Sequence, residues 1–92
     1  MYLEIVTPET VVLSTEVSTV TVPGINGEFQ MLDNHAPVVS LLGKGNVKIT
    51  GDIQLDEKIA DLFTKGDNNQ WLFPITSGVI EMKDNKVIVL SD

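Results

Sequence analysis

Twelve Val, eight Ile and eight Thr stand against only two Ala in this 92-residue chain. β-branched side chains are stiff at χ1 and pack well on a pleated surface, so this ratio disfavours long helices and points to an all-β fold. Runs rich in these residues recur at short intervals, each bounded by Gly, Pro, Asn or Asp, as β-sandwiches and barrels require. The pattern predicts strands over Tyr2–Val6, Thr10–Leu13, Glu16–Val22, Glu28–Leu32, Val38–Leu42, Asn46–Thr50, Trp71–Ile75, Gly78–Met82 and Lys86–Leu90. A chain of this length holds one core, so residues 1–92 read as a single domain.

Two places say more. In the run from Glu16 to Val22 the apolar phase shifts, with Val17 on one alternation and Val20 and Val22 on the other. A one-residue slip of that kind predicts a β-bulge near Ser18 or Thr19. Near the C-terminus two alternating runs flank Asp84-Asn85, a pair that tolerates positive φ, which predicts a two-residue hairpin loop. The stretch Gly51 to Gln70 breaks the rhythm. Leu55, Ile59, Leu62 and Phe63 have helical spacing between Asp56 as an N-cap and Gly66 as a stop, which describes a short helix. Leu62–Lys65 pairing with Trp71–Pro74 across a Gly66-Asp-Asn-Asn loop, an extended hairpin, fits the same residues. Both readings stand at the level of sequence.

Charge and reactive groups narrow the functional classes. Six Lys and no Arg face thirteen Asp and Glu, for a formal charge of −7. Such a chain repels a polyanion and has no guanidinium for a bidentate phosphate clamp, which argues against a nucleic-acid partner. There is no cysteine, hence no disulfide framework and no thiolate nucleophile. No apolar stretch approaches the ~18 residues of a membrane span, so direct membrane insertion is not expected.

His35 is the sole histidine, and any Ser-His-Asp or His-metal chemistry would have to pass through it. No serine lies in a nucleophile elbow and no second imidazole is present for zinc, so His35 reads as a turn or interface residue. Asp67-Asn68-Asn69 lacks the alternating ligand spacing of a calcium loop, and Asp56-Glu57 points adjacent carboxylates apart. Gly43-Lys44-Gly45 has no Ser or Thr after the lysine, and Gly24 and Gly27 lack the third glycine of a dinucleotide turn. Trp71 stands beside Leu72, Phe73 and Ile75, which favours packing over ligand stacking. The expectation is no catalytic, metal or cofactor site. What remains is a glycine-bracketed turn, Pro23 to Phe29, followed by Asn34-His35-Ala36-Pro37. Loops on a rigid β scaffold present contact surfaces.

At these loops the chain resembles the N-terminal sandwich domain of the epsilon subunit of F-type ATP synthases. The residues that carry the likeness are Leu3-Glu-Ile-Val-Thr7, Val20-Thr-Val-Pro-Gly-Ile-Asn-Gly-Glu-Phe29, Asn34-His-Ala-Pro-Val38, Ser77-Gly-Val-Ile-Glu-Met82 and Asn85-Lys-Val-Ile-Val-Leu-Ser-Asp92. Together they span residues 1 to 50 and 71 to 92. The resemblance implies a flattened antiparallel β-sandwich of roughly ten short strands. It also implies a non-catalytic place on the central stalk, between the gamma subunit and the ring of c subunits. There Ile25, Asn26 and Glu28 would face the c ring, while Thr7, His35 and Ser40 would face gamma. Such a subunit makes gamma and the c ring rotate as one body while protons drive ATP synthesis elsewhere in the complex. The implied location is peripheral, at the cytoplasmic face of a bacterial inner membrane. Ending at Asp92, the chain corresponds to a short form without the C-terminal helical hairpin that many members carry. Apart from the family, a free-standing β-sandwich that binds another protein through Pro23 to Phe29 is the alternative reading.

Overall fold

The computed structural model describes residues 1–92. Ten strands follow one another as β1 (Tyr2–Val6), β2 (Val11–Glu16), β3 (Thr19–Gly24), β4 (Gly27–Met31), β5 (Val38–Leu42), β6 (Gly45–Thr50), β7 (Thr64–Lys65), β8 (Trp71–Ile75), β9 (Gly78–Lys83) and β10 (Lys86–Ser91). A single helical turn, α1 (Glu57–Ala60), and a 3₁₀ turn at Asp67–Asn69 lie between β6 and β8. The hydrogen-bonded order is β2-β1-β10-β9-β5-β3-β6-β8-β7, with β4 on the other side of β3. Every pairing is antiparallel except β1 with β10, which brings the two ends of the chain side by side in parallel register from Tyr2↔Lys86 to Val6↔Leu90.

The path is continuous, yet it divides into two layers at one narrow seam. β5 meets β3 through the single pair Gly24↔Leu42, reinforced by Ile25 N–H to Leu41 O at 3.3 Å and Gly43 N–H to Pro23 O at 2.8 Å. On one side lie β2, β1, β10, β9 and β5; on the other lie β3, β4, β6, β8 and β7. Alternate residues of each layer enter one core. Leu3, Ile5, Ile80, Met82, Val87 and Val89 come from the first, and Val20, Val22, Met31, Val47, Ile49 and Phe73 from the second. The period-2 pattern of the sequence is therefore the pattern of burial, since successive strand side chains point to opposite faces.

The hairpin at Asp84-Asn85 forms as expected, with φ of 53° and 60° at its two loop residues and Lys83 opposite Lys86. Positive φ at both loop positions is what matches a two-residue turn to the right-handed twist of its strands.

The phase shift near Ser18 has another cause than the bulge expected there. β2 ends at Glu16 and β3 begins at Thr19, so Val17 and Ser18 are the crossing from one layer to the other. Val17 N–H donates to Met1 O at 2.9 Å and Ser18 N–H to Thr50 O at 2.7 Å, which binds the crossing to both layers. Gly51 is needed beside it. Its φ is +142°, and a Cβ there would lie 2.9 Å from Ser18 N. The bulge of this sheet falls instead in β2. Ile5 pairs with Leu13 and Val6 with Val11, so Val12 is the extra residue, and Val12 and Leu13 are both buried.

Both readings of Gly51 to Gln70 are realised, each over part of the segment. Asp56 caps α1 through Oδ1, which accepts from Lys58 N–H at 3.0 Å. The helix stops at Ala60, well before Gly66, because the chain straightens to place Thr64–Lys65 against Leu72 and Trp71 of β8. Phe63 then packs on Phe73 with ring centroids 5.2 Å apart, and Leu55 and Ile59 rest on the core. Leu62 stays exposed.

Candidate functional site: an apolar row on the outer face

Residues directly opposite in paired strands share a face, so registers can be followed across the first layer. Leu41 of β5 stands opposite Val79 of β9, Val79 opposite Leu90 of β10, Leu90 opposite Val6 of β1, and Val6 opposite Val11 of β2. All five are apolar and point away from the core. Leu41 is 57%, Leu90 50% and Val11 51% exposed, while Val6 and Val79 are half-buried. The hydrogen bond from Ile25 N–H to Leu41 O adds Ile25, 60% exposed, to the end of this row. Where the row meets the loops it floors a groove of about 650 Å³ that also includes Thr7, Pro8, Ser77 and Asp92. Ser77 and Asp92 hydrogen-bond each other at its rim.

An exposed apolar band rimmed by polar residues is the usual mark of a protein contact surface, since burying it against a partner removes it from water. One row inward, Val39 is the most exposed large apolar residue of the chain at 72%, beside Glu81 on β9. The outer surface of the second layer is different. There Glu28 pairs with Lys48 at 3.0 Å and Gln30 Nε2 donates to Thr21 Oγ1 at 3.3 Å, so β3, β4 and β6 carry polar, mutually paired side chains on that face.

The residues singled out in the sequence fall at separate places. Thr7 and Ile25 meet in the groove. Thr7 is held in a tight turn, its N–H donating to Thr10 O at 2.9 Å and Thr10 N–H to Thr7 O at 3.3 Å. Asn26 is exposed at the tip of the β3–β4 hairpin, where positive φ falls on Gly27 at +123°. Glu28 lies on β4 opposite Pro23 and points to the polar surface with Lys48. Ser40 sits opposite the fully buried Ile80, so it faces inward and its hydroxyl donates to Leu41 O at 3.3 Å. His35 is exposed at the far end of β5, five strand residues or roughly 16 Å from the groove. Its N–H closes a turn onto Leu32 O at 3.1 Å and its Nδ1 contacts Ala36 O at 2.7 Å.

The N-terminus lies at the His35 end. The Met1 ammonium donates to Asp33 Oδ1 at 2.7 Å and to Glu16 Oε2 at 3.2 Å. The hydrogen bond to Asp33 raises its pKa above the usual 8.0, against partial desolvation and with help from Glu16. The same hydrogen bond and the attraction of the ammonium lower the Asp33 carboxyl below 3.8.

Sequence reasoning about loops missed Leu41, Val79, Leu90, Val6 and Val11. A signal was present, because Val87-Ile-Val-Leu90 and Val38-Val39 with Leu41-Leu42 are apolar on both alternations. A strand of that kind is covered on both faces or leaves one apolar face open.

Two β layers on one core, presenting an apolar band on one outer surface, define a β-sandwich domain with one exposed apolar face. The chain belongs to the ATP synthase delta/epsilon chain family, whose β-sandwich domain matches residues 1–60. It is 38% identical over 92 residues to the ATP synthase epsilon chain of Maridesulfovibrio salexigens, covering 100% of this chain and 54% of that one. With the epsilon chain of Chlorobaculum tepidum it shares 33% identity over 90 residues, 98% of this chain and 86% of the other. The chain thus spans about half the length of the first of these relatives and most of the second. The fold is similar to a chain in the central stalk/c-ring structure of the Tetrahymena thermophila mitochondrial ATP synthase. The TM-score there is 0.71 at 17% identity, over 99% of this chain and 62% of that one. A chain in the Euglena gracilis mitochondrial enzyme's OSCP/F1/c-ring structure gives 0.72 at 19% identity, over 97% and 48%.

Proposed function

We propose that this protein is a non-catalytic central-stalk subunit of a proton-translocating F-type ATP synthase. It holds the gamma subunit to the c ring so that both turn as one body during ATP synthesis. It acts at the cytoplasmic face of a bacterial inner membrane, peripheral to the bilayer. The observation that carries this reading is the uninterrupted apolar row from Ile25 through Leu41, Val79, Leu90 and Val6 to Val11, on a chain that belongs to the delta/epsilon family.

The gamma subunit covers the outer surface of the first layer, from Thr7 in the groove along Leu41 and Val39 of β5 to His35. Ser40, facing inward, supports that surface from beneath. The hairpin tip with Ile25, Asn26 and Glu28 meets the c ring. Interfaces in permanent assemblies bury about 2,000 Å² or more and are rich in apolar contact, so affinity comes from this band. The exposed Glu28–Lys48 charges contribute orientation, since an exposed ion pair is worth only about 0–1 kcal/mol.

Co-purification from a native membrane fraction tests the proposal. Tagged wild-type chain retains gamma and the c ring, whereas Leu41→Asp combined with Leu90→Asp loses gamma while melting as the wild type does. A folded wild-type chain that captures neither partner overturns it.

A further inference from the structure

Asn26 is the one asparagine among six that precedes a glycine; Asn34, Asn46, Asn68, Asn69 and Asn85 precede His, Val, Asn, Gln and Lys. The structure places Asn26 at the exposed tip of the β3–β4 hairpin and Gly27, also exposed, at the first position of β4 in the last pair Gly24↔Gly27. A Cβ added at Gly27 would meet no atom within 4 Å apart from its chain neighbours. Asn26 and Gly27 are both exposed, so water reaches the segment that joins them. By contrast, Asn85 is tied down, its Oδ1 accepting from Asn34 N–H at 2.8 Å.

We propose that Asn26–Gly27 is a site of spontaneous covalent modification, in which Asn26 converts to aspartate and isoaspartate with water as the only co-reactant. The Gly27 main-chain nitrogen attacks Asn26 Cγ. A bond forms between that nitrogen and Cγ as the Cγ–Nδ2 bond breaks, and the proton lost from the Gly27 nitrogen leaves with Nδ2 as ammonia. Water then opens the five-membered imide. Cleavage of the new bond to Cγ gives aspartate. Cleavage of the bond from the nitrogen to the Asn26 main-chain carbonyl carbon gives isoaspartate, with the backbone rerouted through Cβ and Cγ. No redox change occurs. Either product adds a negative charge two positions from Glu28, whose partner is Lys48 at 3.0 Å. The isoaspartate form also lengthens a loop of only two residues.

This chemistry needs no partner and stands apart from the stalk assignment. The folded chain and the same chain in urea are incubated at mildly alkaline pH, digested and mapped by mass spectrometry with chemical discrimination of isoaspartate. The expected result is that Asn26 converts before any other asparagine. The folded rate lies within about tenfold of the unfolded one, a geometric penalty below ~1.4 kcal/mol. Asn26→Gln removes the acidic species and keeps the melting temperature. Protection of Asn26 by more than that factor on folding, or earlier conversion of another asparagine in the folded chain, overturns the proposal.

Discussion

The Met1 ammonium and the Asp33 carboxylate meet at 2.7 Å, tying the residue just before β1 to the loop that follows β4. The pair stabilises the fold only while both members are ionised. The ammonium pKa is raised above 8.0, so its contribution is complete below 8.0 and is lost as pH rises through the higher folded value. The Asp33 pKa is lowered below 3.8, so its contribution is present above 3.8 and is lost as pH falls through the lower folded value. Asp33→Asn is therefore expected to destabilise most between these limits. Urea unfolding of both proteins across pH checks this; a difference independent of pH refutes it.

Gly78 lies under β10 with no room for a side chain. A Cβ there would sit 2.4 Å from Leu90 O, a backbone atom that cannot swing away. Gly78→Ala is expected to cost about 1–3 kcal/mol, as overpacking does. At Gly43 the only neighbour is Ile25 Cγ2 at 3.9 Å, so Gly43→Ala serves as the tolerated control. Equal denaturation midpoints for the two variants would rule out the steric account.

Ile80 is fully buried and Val39 is 72% exposed, although they lie on neighbouring strands. Ile80→Ala is expected to lose about 2–5 kcal/mol through the cavity it leaves. Val39→Ala stays within about 0.5 kcal/mol in stability. Chemical denaturation distinguishes them, and a matching loss at Val39 would mean that its face is covered in the isolated chain.

Asn85 combines φ of 60° with the hydrogen bond from Asn34 N–H. Asn85→Ala is expected to cost about 1–2 kcal/mol for the left-handed backbone and about 0.5–1.5 more for the lost bond. Asn85→Gly keeps the backbone and loses only the bond, so it should fall between. If alanine and glycine behave alike in thermal melts, the conformational share is absent.

Much of the fold was legible in local chemistry. Tyr2–Val6, Val38–Leu42 and Trp71–Ile75 have the bounds that the alternation indicates, and Asp84-Asn85 forms the expected turn. At Ser18 the same pattern misled, because a phase shift in a run of Val and Thr is produced equally by a bulge within a strand and by a crossing between layers. Only the long-range bonds of Val17 to Met1 and Ser18 to Thr50 separate the two. The loop residues Thr7 and Ile25 proved to be neighbours, while His35 lies a full strand away, a relation invisible to sequence distance.

Sequence alone determined the all-β class, the strand periods and the turn chemistry, because these depend on each residue's own backbone preferences and those of its nearest neighbours. The tertiary structure decided the parallel pairing of β1 with β10, the single seam at Gly24↔Leu42 and the exposure of Leu41, Val79 and Leu90 on a doubly apolar sheet. Those features join residues far apart in the chain, and their energy comes from burial, which has no value until both partners are in place.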